Sequence, residues 1–255
     1  MKISQVAVQL YTLRDHCQTI ADFTASMKKV RSIGYTAVQL SGVGAFPVSE
    51  ISSILQGEGL ICCATHEPGK QILSDPSAII DRLDALNCSI TAYPFPDGID
   101  FSNDASIDAL ITGLDASGAT LRAAGKILCY HNHDNEFARR GKQSILEAIY
   151  AQTNPQNLQA ELDTFWVQAG GGNPVAWCEM LKGRLPVIHL KDYVMGPNGR
   201  TMAEIGSGNI DFASVITAAE NSGCLWFVVE QDVCPGDPFD SVRMSYDYIA
   251  EYFAD

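Results

Sequence analysis

Four side chains able to bind a divalent metal close four short apolar runs in the second half of this sequence. They are His131 in ILCYHNH (127–133), Asp163 in LQAELD (158–163), His189 in PVIHLKD (186–192) and Glu230 in WFVVEQD (226–232). Each run is β-branched or aromatic and apolar almost to its end, the pattern of a strand buried on both faces. An ionisable residue closing such a strand needs a reason to be there. Two imidazoles and two carboxylates that converge make a divalent metal site. Glu230 is the clearest case, because a carboxylate after four apolar residues is costly to bury unless a cation or strong donors offset it.

Neighbouring residues extend that chemistry. Tyr130-His131-Asn132-His133 sets two of the chain's five histidines at i and i+2, on one side of an extended strand, beside Asp134 and Glu136. His131, the deeper of the two, is the expected ligand, with His133 the alternative. Alternation sends Glu161 to the same side as Asp163, as a supporting partner, while Asp163 has the competing option of capping a turn with Thr164. Lys191 follows His189 and could stabilise a developing oxyanion, unless it pairs with Asp192. Gln9, Tyr11, Gln39 and His66 fall at or just after other strand ends and are candidate substrate contacts. Trp166 joins them, offering a ring face to sugar C–H bonds or, equally, packing a strand–helix joint. Gly170-Gly171-Gly172 precedes a helix, where a phosphate could sit; a flexible turn is the plainer reading.

Holding these groups together requires elements whose ends converge. Strands are expected at Val6–Leu10, Ala37–Leu40, Leu60–Thr65, Ser89–Tyr93, Ile127–Tyr130, Leu158–Leu162, Val187–Leu190 and Trp226–Val229. Amphipathic helices are expected near 19–32, 48–57, 76–87, 103–124, 142–151, 173–182, 211–222 and 238–253. Eight strand–helix units imply parallel strands with right-handed crossovers closing into a single (β/α)8 TIM barrel, an α/β domain over residues 1–255. In such a barrel the C-terminal strand ends share one mouth, where active sites lie. Asp75-Pro76 and Asn173-Pro174 read as helix starts, and Gly34, Gly59, Gly125, Gly183 and Gly223 as helix ends. The longest irregular stretch, Tyr193–Asn209, is a candidate lid over the mouth.

Composition narrows the function classes. The chain has 255 residues, 46% of them hydrophobic, and a formal net charge of −13 from 17 basic and 30 acidic residues. That balance argues against nucleic acid, which needs a basic face. No apolar run has the length of a membrane span. The N-terminus MKISQVAVQLYTLRD reads as a first strand rather than an export signal. The eight cysteines include no CxxC pair and several lie in apolar runs, the usage of reduced, buried thiols in a cytoplasmic protein. Dinucleotide, P-loop and nucleophile-elbow motifs are absent. A small-molecule partner is expected, with a homo-oligomer left open.

Over essentially its whole length the chain resembles the xylose-isomerase-like TIM-barrel superfamily, in its sugar phosphate isomerase/epimerase branch. The resemblance is carried by VQLYTLRD (8–15), YHNHDNEF (130–137), ELDTFW (161–166), IHLKDY (188–193), IGSGNIDF (205–212) and VVEQD (228–232). It implies one divalent ion held at the ends of strands five to eight by Glu, Asp, His and Glu. Asp163, His189 and Glu230 match the last three; at the first, epimerases carry glutamate and this chain has His131. That exchange removes one negative charge and shifts the metal preference toward manganese foremost, then cobalt, zinc or iron over magnesium. The expected activity is a metal-dependent isomerase or epimerase working on a ketose or related polyol carbonyl through an enediolate. In it, Glu230 or Glu136 abstracts the proton, His133 returns it and Lys191 stabilises charge. The alternative is a metal-dependent lyase or dehydratase (hydratase) on a keto-sugar, keto-glycoside or inosose, which the His131 exchange favours. The superfamily's abasic-site endonucleases fit poorly, for want of histidines and of basic charge; a non-catalytic sugar-binding barrel is a further possibility.

Overall fold

The computed structural model describes residues 1–197 and 199–254. Eight strands close into a parallel barrel in chain order: β1 (Val6–Gln9), β2 (Ala37–Leu40), β3 (Ile61–His66), β4 (Ile90–Tyr93), β5 (Ile127–His131), β6 (Leu158–Asp163), β7 (Val187–Leu190) and β8 (Trp226–Val229). Strand β8 returns to β1, pairing Val8 with Val229. The expected strands all form, shifted by a residue or so at their ends, and the eight expected helices lie outside them. Two further short helices, Gly69–Ser74 and Thr164–Ala169, occupy stretches read as connections.

The barrel lumen is filled by small residues, among them Ala7, Ala37, Ala64, Ala92 and Cys129, all fully buried. Leu, Ile and aromatic side chains pack on the other face, between strands and helices. Small residues inside leave room for long polar side chains stacked above them at the C-terminal ends, the layering expected of such barrels. Between β2 and β3 the register slips after Val38, from Cys62 to Ala64 opposite Gln39. Irregularities of this kind re-aim a side chain near a site.

Local signals read from sequence are realised. The Asp75 and Asn173 side chains accept backbone N–H groups at the starts of helices Pro76–Ala85 and Pro174–Met180. Gly34, Gly59, Gly125, Gly183 and Gly223 all have positive φ at helix ends, where a side chain would be strained. Among the described residues all cysteines are free, and all but Cys234 are buried. No described helix is long and apolar enough to cross a membrane.

The stretch expected as a lid is more ordered than a loop. Asp192–Gly196 and Gly199–Ala203 pair as an antiparallel hairpin; Asn198, part of the expected loop, lies outside the described residues. Asp192 organises the return. Its carboxylate accepts the N–H groups of Tyr193, Gly206, Gly208 and Ile210. A Cβ on Gly208 would lie 2.3 Å from Asp192 Oδ1, so that position has no space for a side chain. Arg200 ties the hairpin to the β5 loop through Asp134 Oδ2 at 2.6 Å.

Candidate metal centre and cavity

His131, Asp163, His189 and Glu230 arrive together as expected from strand-end spacing. One ligand atom from each lies within 4.8 Å of the other three, and all four residues are buried. The register explains the meeting: Asp163 on β6 pairs with His189 on β7, and Glu230 follows directly after β8, which pairs with β7. His131, not His133, joins the cluster.

The capping option open to Asp163 is realised, and its second oxygen is left facing His189 and Lys191. Oδ1 accepts the Trp166 N–H at 2.9 Å and caps helix Thr164–Ala169, while Oδ2 is buried with no hydrogen-bond partner. A buried carboxylate oxygen without a donor is costly, and burial pushes this carboxyl up to about 7, with Lys191 opposing and Glu230 adding to the rise. Its neighbour Glu230 is held well below the usual carboxylate range: burial works against the charge, but Lys191 and His189 outweigh it. His189 rises to about 10, because Glu161 and Glu230 overcome the desolvation that would lower it. Burial lowers His131 to about 4, leaving a neutral imidazole. Two imidazoles and two carboxylates, one of them with a buried oxygen that makes no hydrogen bond, are a donor set that fits a divalent ion.

A second cluster shares two of these residues. His66, His131, Glu161 and His189 also bring ligand atoms within 4.8 Å of one another. Glu161 is its centre and is fully buried. Its Oε1 faces His66 Nε2 in a very short contact, His131 Nδ1 at 3.2 Å and His189 Nε2 at 3.1 Å. Burial would raise this carboxyl, yet His189 and His66 hold it well below its ordinary range.

A cavity of about 410 Å³ opens beside the clusters, lined by Tyr11, Ser41, His66, Pro94, Phe95, His131, His133, Lys191, Glu230 and Asp232. Tyr11 and His66 thus meet the expectation of pocket lining. Gln9 and Gln39 do not: both are fully buried below the cavity, where Gln39 bridges Glu161 and His189 at 2.7 Å each and Gln9 reaches His66 Nδ1 at 3.5 Å. Residues ending the first strands point into the lumen, so they support the site's histidines instead of meeting solvent. Trp166 also stands back from the cavity wall, its ring 5.2 Å from that of His133.

Glu136, expected as an acid–base group, is turned away from the cavity. The short helical turn Asn135–Phe137 folds it behind the strand, where it accepts from Tyr130 Oη and from the His133 N–H, both at 2.9 Å. It is fully buried, which raises its carboxyl to about 7. It therefore holds His133 in place. His133 itself lines the cavity with Nδ1 unpartnered, and burial lowers its imidazole to about 2.

Lys191 pairs across the barrel, not with its neighbour Asp192. Its Nζ lies 2.9 and 2.8 Å from the two Asp232 oxygens, 3.2 Å from Glu230 and 3.6 Å from Asp163. Asp232 was not singled out from the sequence, although its i+2 spacing from Glu230 sends both to one side. Phe95 on the cavity rim carries no sequence signal beyond its aromatic ring. Gly170 and Gly172 serve packing: a Cβ on either would strike the Phe137 ring, at 2.4 and 2.7 Å.

Comparisons with known proteins agree with this architecture. A curated inosose dehydratase of Clostridium beijerinckii is 24% identical over 176 residues, 62% of this chain; the match spans 58% of that protein's length. A sugar phosphate isomerase/epimerase from Parabacteroides distasonis superposes with a TM-score of 0.82 at 20% identity, over 98% of this chain and 95% of that one. A xylose isomerase-like TIM barrel protein from Mycobacterium smegmatis, solved in complex with magnesium, gives 0.79 at 13% identity, over 98% and 97%. The xylose isomerase-like TIM barrel family model matches residues 27–251, and with the closed eight-strand barrel already described, the chain belongs to that family.

Proposed function

We propose that this protein is a divalent-metal-dependent isomerase or epimerase acting on a ketose or related polyol carbonyl. The observation that carries the reading is Asp163 Oδ2, buried without a hydrogen bond and grouped with His131, His189 and Glu230 beside an open cavity. His131, Asp163, His189 and Glu230 would hold the ion; two imidazoles favour manganese, cobalt, iron or zinc over magnesium, and a family relative was solved with magnesium. Such an ion supplies polarisation of a carbonyl and its neighbouring hydroxyl, acidifying the intervening C–H bond. The chain's own groups then move the proton. Glu230, held as a carboxylate on the cavity wall, takes it from carbon. His133, kept neutral by burial, accepts the hydroxyl proton before it can donate one. Lys191 balances the carboxylates of Glu230 and Asp232 and keeps the site compact. These residues come from the ends of four of the eight barrel strands, β5 to β8, and the apolar lumen beneath keeps water from the cluster.

A second reading is a lyase or dehydratase on a keto-sugar, keto-glycoside or inosose, supported by the similarity to an inosose dehydratase and by His131, where the family resemblance implies a glutamate in epimerases. Manganese-loaded protein incubated with a ketose panel in deuterated water tests both. Carbon-bound deuterium without mass loss supports isomerisation, and loss of water or of an aglycone supports elimination. Absence of both across ketoses, keto-glycosides and inososes, with metal bound, would sink the enzymatic reading.

A further inference from the structure

His131 and His189 belong to both clusters, yet a neutral imidazole has one lone pair to give. His189 turns Nδ1 toward Glu230 at 2.8 Å and Asp163 at 3.9 Å, and Nε2 toward Glu161 at 3.1 Å and Gln39 Oε1 at 2.7 Å. Both nitrogens face oxygens that accept, so without an ion each carries a proton; the side an ion occupies is decided by which nitrogen gives its proton up.

We infer that Gln39 and Glu161 are positioning residues that keep the proton on His189 Nε2, so that Nδ1 is the nitrogen that gives its proton up when an ion binds. This commits Nδ1 to an ion held with Asp163 and Glu230 and makes the His66–Glu161 cluster a hydrogen-bonded support, not an ion site. The inference rests on the metal-site reading above. Its argument is one of hydrogen-bond polarity. A carboxylate only accepts, so the Gln39 group facing Glu161 Oε2 at 2.7 Å must be its NH2. The same amide then presents its oxygen to His189, and an oxygen there requires a proton on Nε2. The opposite arrangement would set the amide oxygen against a buried carboxylate. A parallel device acts on His66: Gln9 Nε2 faces its Nδ1 at 3.5 Å, leaving the His66 Nε2–H for Glu161. Gln9 and Gln39 occupy paired positions on β1 and β2, so neighbouring strand ends each deliver one amide to one imidazole. With both Nε2 protons aimed at Glu161, neither nitrogen has a lone pair for a cation there. All of Gln39, Glu161 and His189 are fully buried, so water cannot substitute for the missing donors. Outer partners that orient a ligating imidazole are common in metal sites.

The test uses the full chain labelled with 15N-histidine and loaded with zinc, which is diamagnetic. Long-range 1H–15N correlation should find His189 protonated on Nε2 and metal-bound through Nδ1; zinc bound through Nε2 overturns the inference without needing any variant. Zinc affinity by chelator competition should fall about 10–100-fold in Glu161→Gln and in Gln39→Leu. The double variant should lose little more than either single one, because both act through one tautomer. Asp163→Asn separates the two readings. If it weakens zinc while Glu161→Gln leaves affinity intact, the positioning role is wrong and the metal site stands. If zinc is indifferent to Asp163→Asn but lost in Glu161→Gln and His66→Phe, the ion belongs to the inner cluster and both readings fall.

Discussion

Replacing Lys191 by methionine isolates the electrostatics on which the site is built. The ammonium is 1% exposed and touches three carboxylates: Asp232 with two bonds of 2.8 and 2.9 Å, Glu230 at 3.2 Å and Asp163 at 3.6 Å. Methionine keeps the unbranched stem and removes the charge, so packing is nearly conserved and the carboxylates are left facing one another. Breaking a buried pair by removing one partner costs about 3–5 kcal/mol. In a chain of this size each kcal/mol moves the thermal midpoint by about 2–4 °C, so the chelator-treated variant should melt about 6–20 °C below the wild type. A divalent cation supplies the positive charge that the substitution removes. Manganese should therefore raise the midpoint of Lys191→Met by more than it raises that of the wild type, where occupancy at 100 times Kd contributes about 2.7 kcal/mol. The assay is paired thermal melts at neutral pH, with chelator and with manganese, followed by circular dichroism. A chelator-treated variant within 2 °C of the wild type would refute the buried-charge argument. Equal manganese shifts in the two proteins would refute the claim that the ion and the lysine share the same carboxylates.

Other outcomes follow from particular contacts. Burial raises Glu136 to about 7 from an unfolded value of 4.5, so the folded state binds its proton more tightly. Stability from this group is complete below pH 4.5 and declines as pH rises through 7, by roughly 3 kcal/mol in all. The difference in unfolding free energy between Glu136→Gln and wild type, followed by urea titration from pH 5 to 8, should accordingly move in favour of the variant; a flat difference would contradict it. Gly118 lies in helix Asp104–Ala123, and a Cβ there would sit 2.1 Å from the Asn157 carbonyl oxygen. Gly118→Ala should destabilise by about 1–3 kcal/mol in urea despite alanine's better helix propensity. Arg200→Ala removes a partly exposed ion pair to Asp134 and should change stability by less than about 1 kcal/mol. It should instead speed proteolysis within the 192–203 hairpin, as read by mass spectrometry of limited digests.

How much of this was legible beforehand depends on the range of the interactions involved. Alternation within a strand is local, so residue type and spacing place Asp163, His189 and Glu230 at one mouth, and the structure groups them with His131 within 4.8 Å. Helix starts at Asp75 and Asn173, and the positive-φ glycines that end helices, are equally local and equally readable. Sequence left open whether His131 or His133 belongs to the cluster, because both fall on one side of the chain. The depth of each below the mouth separates them: His131 ends β5, and His133 lies beyond it on the cavity wall.

The partners of the charged groups lie across strands. Lys191 and Asp192 are adjacent in sequence, and adjacent residues of an extended chain face opposite ways. Lys191 turns into the mouth to Asp232, 41 residues on, while Asp192 turns out to gather the backbone of the hairpin's return. Glu136 has the residue type of a proton carrier, yet a short helical turn directs it to Tyr130 and the backbone. Gln9 and Gln39 end strands at positions that suggest substrate contact, and barrel closure points them into the lumen instead. By itself, then, the sequence determined the barrel, the four side chains of the cluster and the end of the barrel where they meet, since these follow from short-range periodicity. Tertiary structure alone decided which nitrogen, oxygen or ammonium each group faces, because those pairings depend on closure, register and depth between strands far apart in the chain.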